Sequence, residues 1–321
     1  MEAVGERTGR RLGFGCAGLM QSPSRRHRQR LLAEAFEHGV RHFDVARMYG
    51  LGAVEGEVGR FARGRRERIA IVTKFGIEPT GSVGRLAALQ APARAVLARF
   101  PSLRAVLRRR ESAFNQPRRY DAATARRSLE TSLRELGTDH VDAFLIHGAG
   151  PGDAIDIDEL AEALEDLRRA GSVRAWGIAS EAQASAGLLD GIDPHPVIQV
   201  RDDVFEPFRP PAPEWPVITF GVLSAALPRI CGCLAQSGPH EEWSRAVGED
   251  CGRPEEISSL LLRGALLRNP RGTVLFSTTR PERIALATEA EDLAREADPA
   301  PVLAFERLAR AIPDEEVAAS A

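Results

Sequence analysis

Eight short apolar runs, most of them followed by an amphipathic stretch, restrict the fold of this chain more than any other feature. They are LGFGCAG (12–18), RHFDVA (41–46), RIAIVTKFG (68–76), VDAFLIH (141–147), VRAWGIAS (173–180), VIQV (197–200), PVITFG (216–221) and TVLFST (273–278). Helical patterns occupy 25–39, 54–64, 121–137, 157–171, 254–269 and 281–297, with a short helix ending at Leu189. Near-continuous apolar strands are buried on both faces, and strand–helix alternation implies a parallel sheet. Eight such units predict a closed (β/α)8 barrel of the TIM-barrel class, with residues 1–321 as a single domain. No linker or low-complexity tract divides the chain, and its 43% apolar content supplies a large core.

One segment departs from the repeat. Residues 77–120 are long for a strand-to-helix loop and rich in arginine. The apolar spacing in LAALQAPARAVLARF and LRAVLRRR, interrupted by Pro92 and Pro101, predicts two or three short helices. An insertion after the third strand leaves from the C-terminal face of a barrel, where loops set substrate preference. It is therefore expected to form one wall of the pocket.

Composition excludes several classes. A formal net charge of −2 gives no electrostatic reason to expect nucleic acid or an anionic membrane as partner. No apolar run approaches the ~18 residues of a membrane span, and the polar MEAVGERTGRR start does not read as a secretory signal. Cys16, Cys231, Cys233 and Cys251 are too few for a disulfide framework and read as reduced thiols in a cytoplasm. Cys231-Gly-Cys233 lacks the further ligands that a metal site needs.

Gly13-Phe14-Gly15-Cys16-Ala17-Gly18 matches the dinucleotide fingerprint G-x-G-x-x-G, but the helix it should open is displaced by Pro23. A close-packed strand and tight turn at the barrel mouth is the better reading. The informative pattern is elsewhere. Asp44, Lys74 and His147 end three consecutive apolar strands, and Tyr49 follows on the next loop. Strand C-termini converge at the mouth of a barrel, so a carboxylate, an ammonium, an imidazole and a phenol are brought together there. An ammonium beside a phenol lowers its pKa, a carboxylate keeps that ammonium charged, and a histidine N–H can orient a carbonyl. Hydride must come from a cofactor, because no side chain supplies it.

HFDVARMYG with VEGEVGRF, IVTKFG, SLETSLRELGTDHVDAFLIH and PERIALA together resemble the aldo-keto reductase superfamily over nearly the whole chain. The resemblance implies that Tyr49 is the general acid–base, that Asp44 and Lys74 tune it, and that His147 orients the carbonyl. It implies an NADPH-dependent reduction of an aldehyde or ketone, with Gln199 and Ser180 near the nicotinamide and Phe220 stacked on it. Ser277, Thr278 and Arg283 are placed to meet a 2′-phosphate, where an arginine fork suits phosphate oxygens. The family's Ser-Asn pair is replaced by Ala179-Ser180, and its Glu-Asn near the adenine by Leu286-Ala287. Two other readings use the same residues: a cofactor-binding regulatory subunit without activity, and a non-redox enzyme using Tyr49 and Lys74 for proton transfer alone.

Overall fold

Each of the eight apolar runs forms a strand, and six of the strands are shorter than the sequence pattern. The computed structural model describes residues 9–79, 118–150, 152–181, 188, 196–208, 215, 217–235 and 239–313. Its strands are β1 (Leu12–Gly15), β2 (His42–Asp44), β3 (Ala70–Phe75), β4 (Val141–His147), β5 (Val173–Ala179), β6 (Val197–Arg201), β7 (Val217–Phe220) and β8 (Thr273–Phe276). They pair in chain order, all parallel, and β8 returns to β1 to close the barrel. Side chains alternate across a strand. Val72, Leu145, Ala175, Val197, Ile218 and Leu275 accordingly pack inside the barrel, while Phe43, Ile71, Phe75 and Phe144 belong to the larger core outside it.

The helices start where short polar side chains accept the first free amides. Ser24 caps α1 (Arg25–Glu37) through the amide of His27, Asp121 caps α3 (Ala122–Leu136) through Thr124, and Asp156 caps α4 (Ile157–Arg169) through Glu159. Helix α2 (Val54–Ala62) follows β2. Three helices were not anticipated from sequence: α5 (Ala226–Leu234), α6 (Pro239–Val247) and α9 (Ala300–Arg310). Pro228 and Gly232 obscure α5, yet Pro228 falls in its first turn, where no amide partner is required, and Ala226, Ile230 and Leu234 are buried. Helices α7 (Pro254–Arg268) and α8 (Glu282–Glu296) occupy their expected places. The expected helices of the 77–120 insertion and the helix ending at Leu189 lie outside the described residues, Leu188 apart. The insertion's two ends meet, through a bridge between Ile77 and Arg118 and a 2.9 Å bond from Arg119 N to Gly76 O.

The glycine fingerprint is a packing feature, as the displaced helix suggested. A Cβ at Gly13 would lie 2.6 Å from Leu275 Cδ2 and 2.9 Å from His42 Cδ2, so β1 leaves its neighbours space in the barrel interior. His42 fills that space with both ring nitrogens buried and unpartnered. Burial drives its pKa down to about 4, against the pull of Asp44. The unfolded chain takes up this proton near the ordinary histidine pKa of about 6.5. Stability therefore falls as pH drops from there to about 4, with a limiting slope of about 1.4 kcal/mol per unit for this group. His42→Leu is expected to flatten urea midpoint against pH in that window while remaining at least as stable as the parent at pH 7. An unchanged slope would assign the acid sensitivity elsewhere.

Candidate active site

Asp44, Lys74 and His147 are the last or next-to-last residues of β2, β3 and β4. Lys74 is almost fully buried. Its Nζ donates to Asp44 Oδ1 at 2.7 Å, Asp44 Oδ2 at 2.8 Å and Val45 O at 2.9 Å, and lies 3.3 Å from Tyr49 OH. Three ammonium protons thus serve four acceptors, and the phenol is the most distant. Tyr49 starts a short 3-10 turn, Tyr49–Gly52, in which Gly50 and Leu51 both have positive φ. Among the described residues Leu51, at φ 58°, is the one non-glycine in that region, a conformation that is costly for a branched side chain.

Burial lowers the Lys74 pKa, but Asp44 and Tyr49 outweigh it and the net shift is upward. Tyr49 corrects the expectation from sequence. Its pKa is raised because burial dominates, with Lys74 pulling it down and Asp44 pushing it up. The phenol therefore holds its proton at neutral pH. His147 meets the Tyr49 ring edge-on, with centroids 5.9 Å apart. Burial, aided by Lys74 and Arg118, pushes its pKa down to about 3. A neutral imidazole offers one N–H donor without a competing charge.

All ten residues singled out from sequence line one cavity of about 850 Å³, which includes Asp44, Tyr49, Lys74, His147, Ser180 and Gln199 at the barrel mouth. Phe220, Ser277, Thr278 and Arg283 continue its wall. Their hydroxyls are not all free. Ser180 donates to Ala149 O, and Ser277 donates to Gly15 O at 2.6 Å. Thr278 accepts from the Arg280 amide at 3.0 Å. Gln199 donates from Nε2 to Asp44 Oδ2 at 3.0 Å, which leaves its Oε1 buried and unpartnered. A primary carboxamide would satisfy that oxygen, and the Phe220 ring beside it offers a stacking face. These residues fit a nicotinamide.

Sequence reasoning passed over several contributors. Tyr120, the only other tyrosine, donates to His147 O at 2.8 Å. Its ring fills the space a Cβ at Gly76 would need, so it ties the ends of β3 and β4 together. Arg118 and Arg201 also line the cavity. The inward period of β6, continued from Val197 through Gln199, could have identified Arg201.

A buried lysine–carboxylate pair beside a phenol, at the mouth of an eight-stranded parallel barrel, is an arrangement capable of proton transfer. Residues 11–201 match the model of the Aldo/keto reductase family. The chain belongs to the aldo/keto reductase family. Among curated relatives, the aldo-keto reductase yakc of Schizosaccharomyces pombe, whose name carries NADP(+), is 29% identical over 213 residues, or 64% of this chain and 52% of that one. The 6-dehydroglucose reductase of Agrobacterium fabrum is 33% identical over 160 residues, 48% and 43% of the two chains. The matched part thus spans about half the length of these relatives. An aldo-keto reductase from Bacillus halodurans, solved in its holo form, superposes with a TM-score of 0.63 at 21% identity, covering 95% of this chain and 94% of that one. That likeness is one of fold. No helix among the described residues is long and apolar enough to cross a membrane.

Proposed function

We propose that the protein is an NADPH-dependent oxidoreductase that reduces an aldehyde or ketone to an alcohol, with Tyr49 as general acid. The observation that carries this reading is the Tyr49 phenol, 3.3 Å from a lysine ammonium that is held by both oxygens of Asp44. The buried phenol keeps its proton until a stronger base forms beside it. A carbonyl oxygen that gains negative charge during reduction is such a base. The phenolate left behind would be stabilised by the Lys74 ammonium, and Asp44 keeps that ammonium charged. Neutral His147 directs an N–H at the same oxygen and orients it. The nicotinamide, when bound, supplies the hydride. Gln199 Oε1 and Phe220 would hold its carboxamide and ring.

NADP(+) appears in the name of the yeast relative, and a Klebsiella pneumoniae structure of similar fold contains NADPH. In this chain the corresponding choice falls to Arg283, in the first turn of α8. Leu286 and Ala287 line the same end of the cavity and offer no side-chain hydrogen bond to an adenine. Phosphate contact then carries more of the affinity. Arg283→Ala is expected to weaken NADPH by about tenfold or more, the value of a charge-assisted hydrogen bond, and NADH far less. Fluorescence titration with both dinucleotides, followed by a panel of aldehydes and ketones, tests the reading. Equal weakening would remove Arg283 from the 2′-phosphate site. A parent that binds dinucleotide and reduces no carbonyl would favour the regulatory reading.

A further inference from the structure

The geometry points to Glu55 as a positioning residue for this reaction: a carboxylate behind the barrel wall that sets how closely Tyr49 approaches Lys74. The inference rests on the reading of Tyr49 as proton donor.

Glu55 lies in the first turn of α2 and is fully buried. Each of its oxygens holds one of the two segments that carry the proton-transfer pair. Oε1 accepts from Thr73 Oγ1 at 2.7 Å, and Oε2 accepts from Arg47 Nη1 at 2.5 Å. Thr73 directly precedes Lys74 on β3. Neighbouring strand residues face opposite sides, so Thr73 meets Glu55 outside the barrel while Lys74 points within. Arg47 lies two residues before Tyr49. One carboxylate therefore grips both the strand of the ammonium and the loop of the phenol.

The loop needs such a hold. Its backbone has positive φ at three successive residues, Gly50, Leu51 and Gly52, and the strain this places on Leu51 persists only where surrounding contacts enforce it. Arg47 is further fixed by Glu78, whose Oε2 accepts from Nε at 3.3 Å and whose Oε1 accepts from Ser128 Oγ at 2.7 Å. Glu78 lies just beyond β3, so the clamp holds both loops at the mouth from outside the cavity. None of these groups lines the cavity itself. Glu55 acts on the chemistry only through where it places Tyr49.

The chain has two tyrosines, which makes that placement observable. Protein labelled with 13Cζ-tyrosine gives two phenol resonances, assigned by Tyr120→Phe. In Glu55→Gln, which keeps the side-chain shape but removes the negative charge facing Arg47, the Tyr49 resonance is expected to move. Turnover should fall about 10- to 100-fold, as for an ångström-scale misplacement, with NADPH affinity kept within about twofold. Thr73→Val leaves the ion pair intact and is expected to lose about tenfold in kcat, the lower end of what a hydrogen bond to a charged group is worth, whereas Thr73→Ser should match the parent. If Glu55→Gln does not fold, the two Thr73 variants decide. A purely structural role would lower the unfolding temperature and leave the Tyr49 resonance and kcat unchanged, and that result overturns the inference. Equal kinetics for Thr73→Val and Thr73→Ser would do the same. Should the parent reduce no carbonyl, the proposed reaction fails, while the resonance still reports whether Glu55 places the phenol.

Discussion

Tyr49→Phe is expected to lower kcat by about 10²–10⁴-fold, the usual contribution of general acid catalysis, while dinucleotide affinity stays close to that of the parent. The substitution removes one oxygen. It keeps the ring against His147 and takes away only the longest of the four Lys74 Nζ contacts, at 3.3 Å. Folding should be little affected, because Nζ retains Asp44 and Val45 O. Steady-state kinetics with NADPH and a reactive aldehyde provides the check. Turnover within a fewfold of the parent would remove Tyr49 from the chemistry and leave a non-acid role for the residue.

Lys74→Met is expected to cost both activity and stability. It leaves the buried Asp44 carboxylate with the Gln199 amide as its remaining side-chain donor among the described contacts. Breaking a buried ion pair from one side typically destabilises by about 3–5 kcal/mol, because the other charge stays desolvated and unpaired. Turnover should fall to the level of Tyr49→Phe, since the developing phenolate loses its counter-charge. Adding Asp44→Asn removes the stranded charge. The double variant should regain most of the stability measured by urea unfolding and none of the turnover. Recovery of both would mean that the pair serves folding alone. Recovery of neither would point to a packing defect left in β3 by the thioether side chain rather than to charge.

The parts of this molecule legible in sequence are those with a local signature. Strands buried on both faces show as apolar runs, and a polar residue at the end of such a run is conspicuous, which is how Asp44, Lys74 and His147 can be grouped from sequence alone. Glu55 has no such mark. Its partners Arg47 and Thr73 lie 8 and 18 residues away, and an acidic residue in a first helical turn is common for reasons of helix dipole alone. Tyr120 is hidden at the edge of the insertion, and only the fold brings its hydroxyl to His147 O. The tyrosine pKa shows a different limit. Sequence identifies the charged neighbours, but burial, the largest influence on Tyr49, is a property of the closed barrel. The hydroxyls of Ser180 and Ser277 likewise look available to a ligand in sequence, and the fold turns them onto the backbone.

The most direct test of the central claim follows the hydride in the parent and in the variant that lacks the proton donor. Parent and Tyr49→Phe proteins are each given NADPH deuterated on the transferred position of nicotinamide C4, together with an aromatic aldehyde, and the product is read by mass spectrometry. The account predicts that the parent forms alcohol with one deuterium at the former carbonyl carbon, in step with NADPH oxidation. The Tyr49→Phe protein should bind the same dinucleotide and form about 10²-fold less product or lower still. Alcohol without deuterium, or equal deuterated product from both proteins, would contradict it.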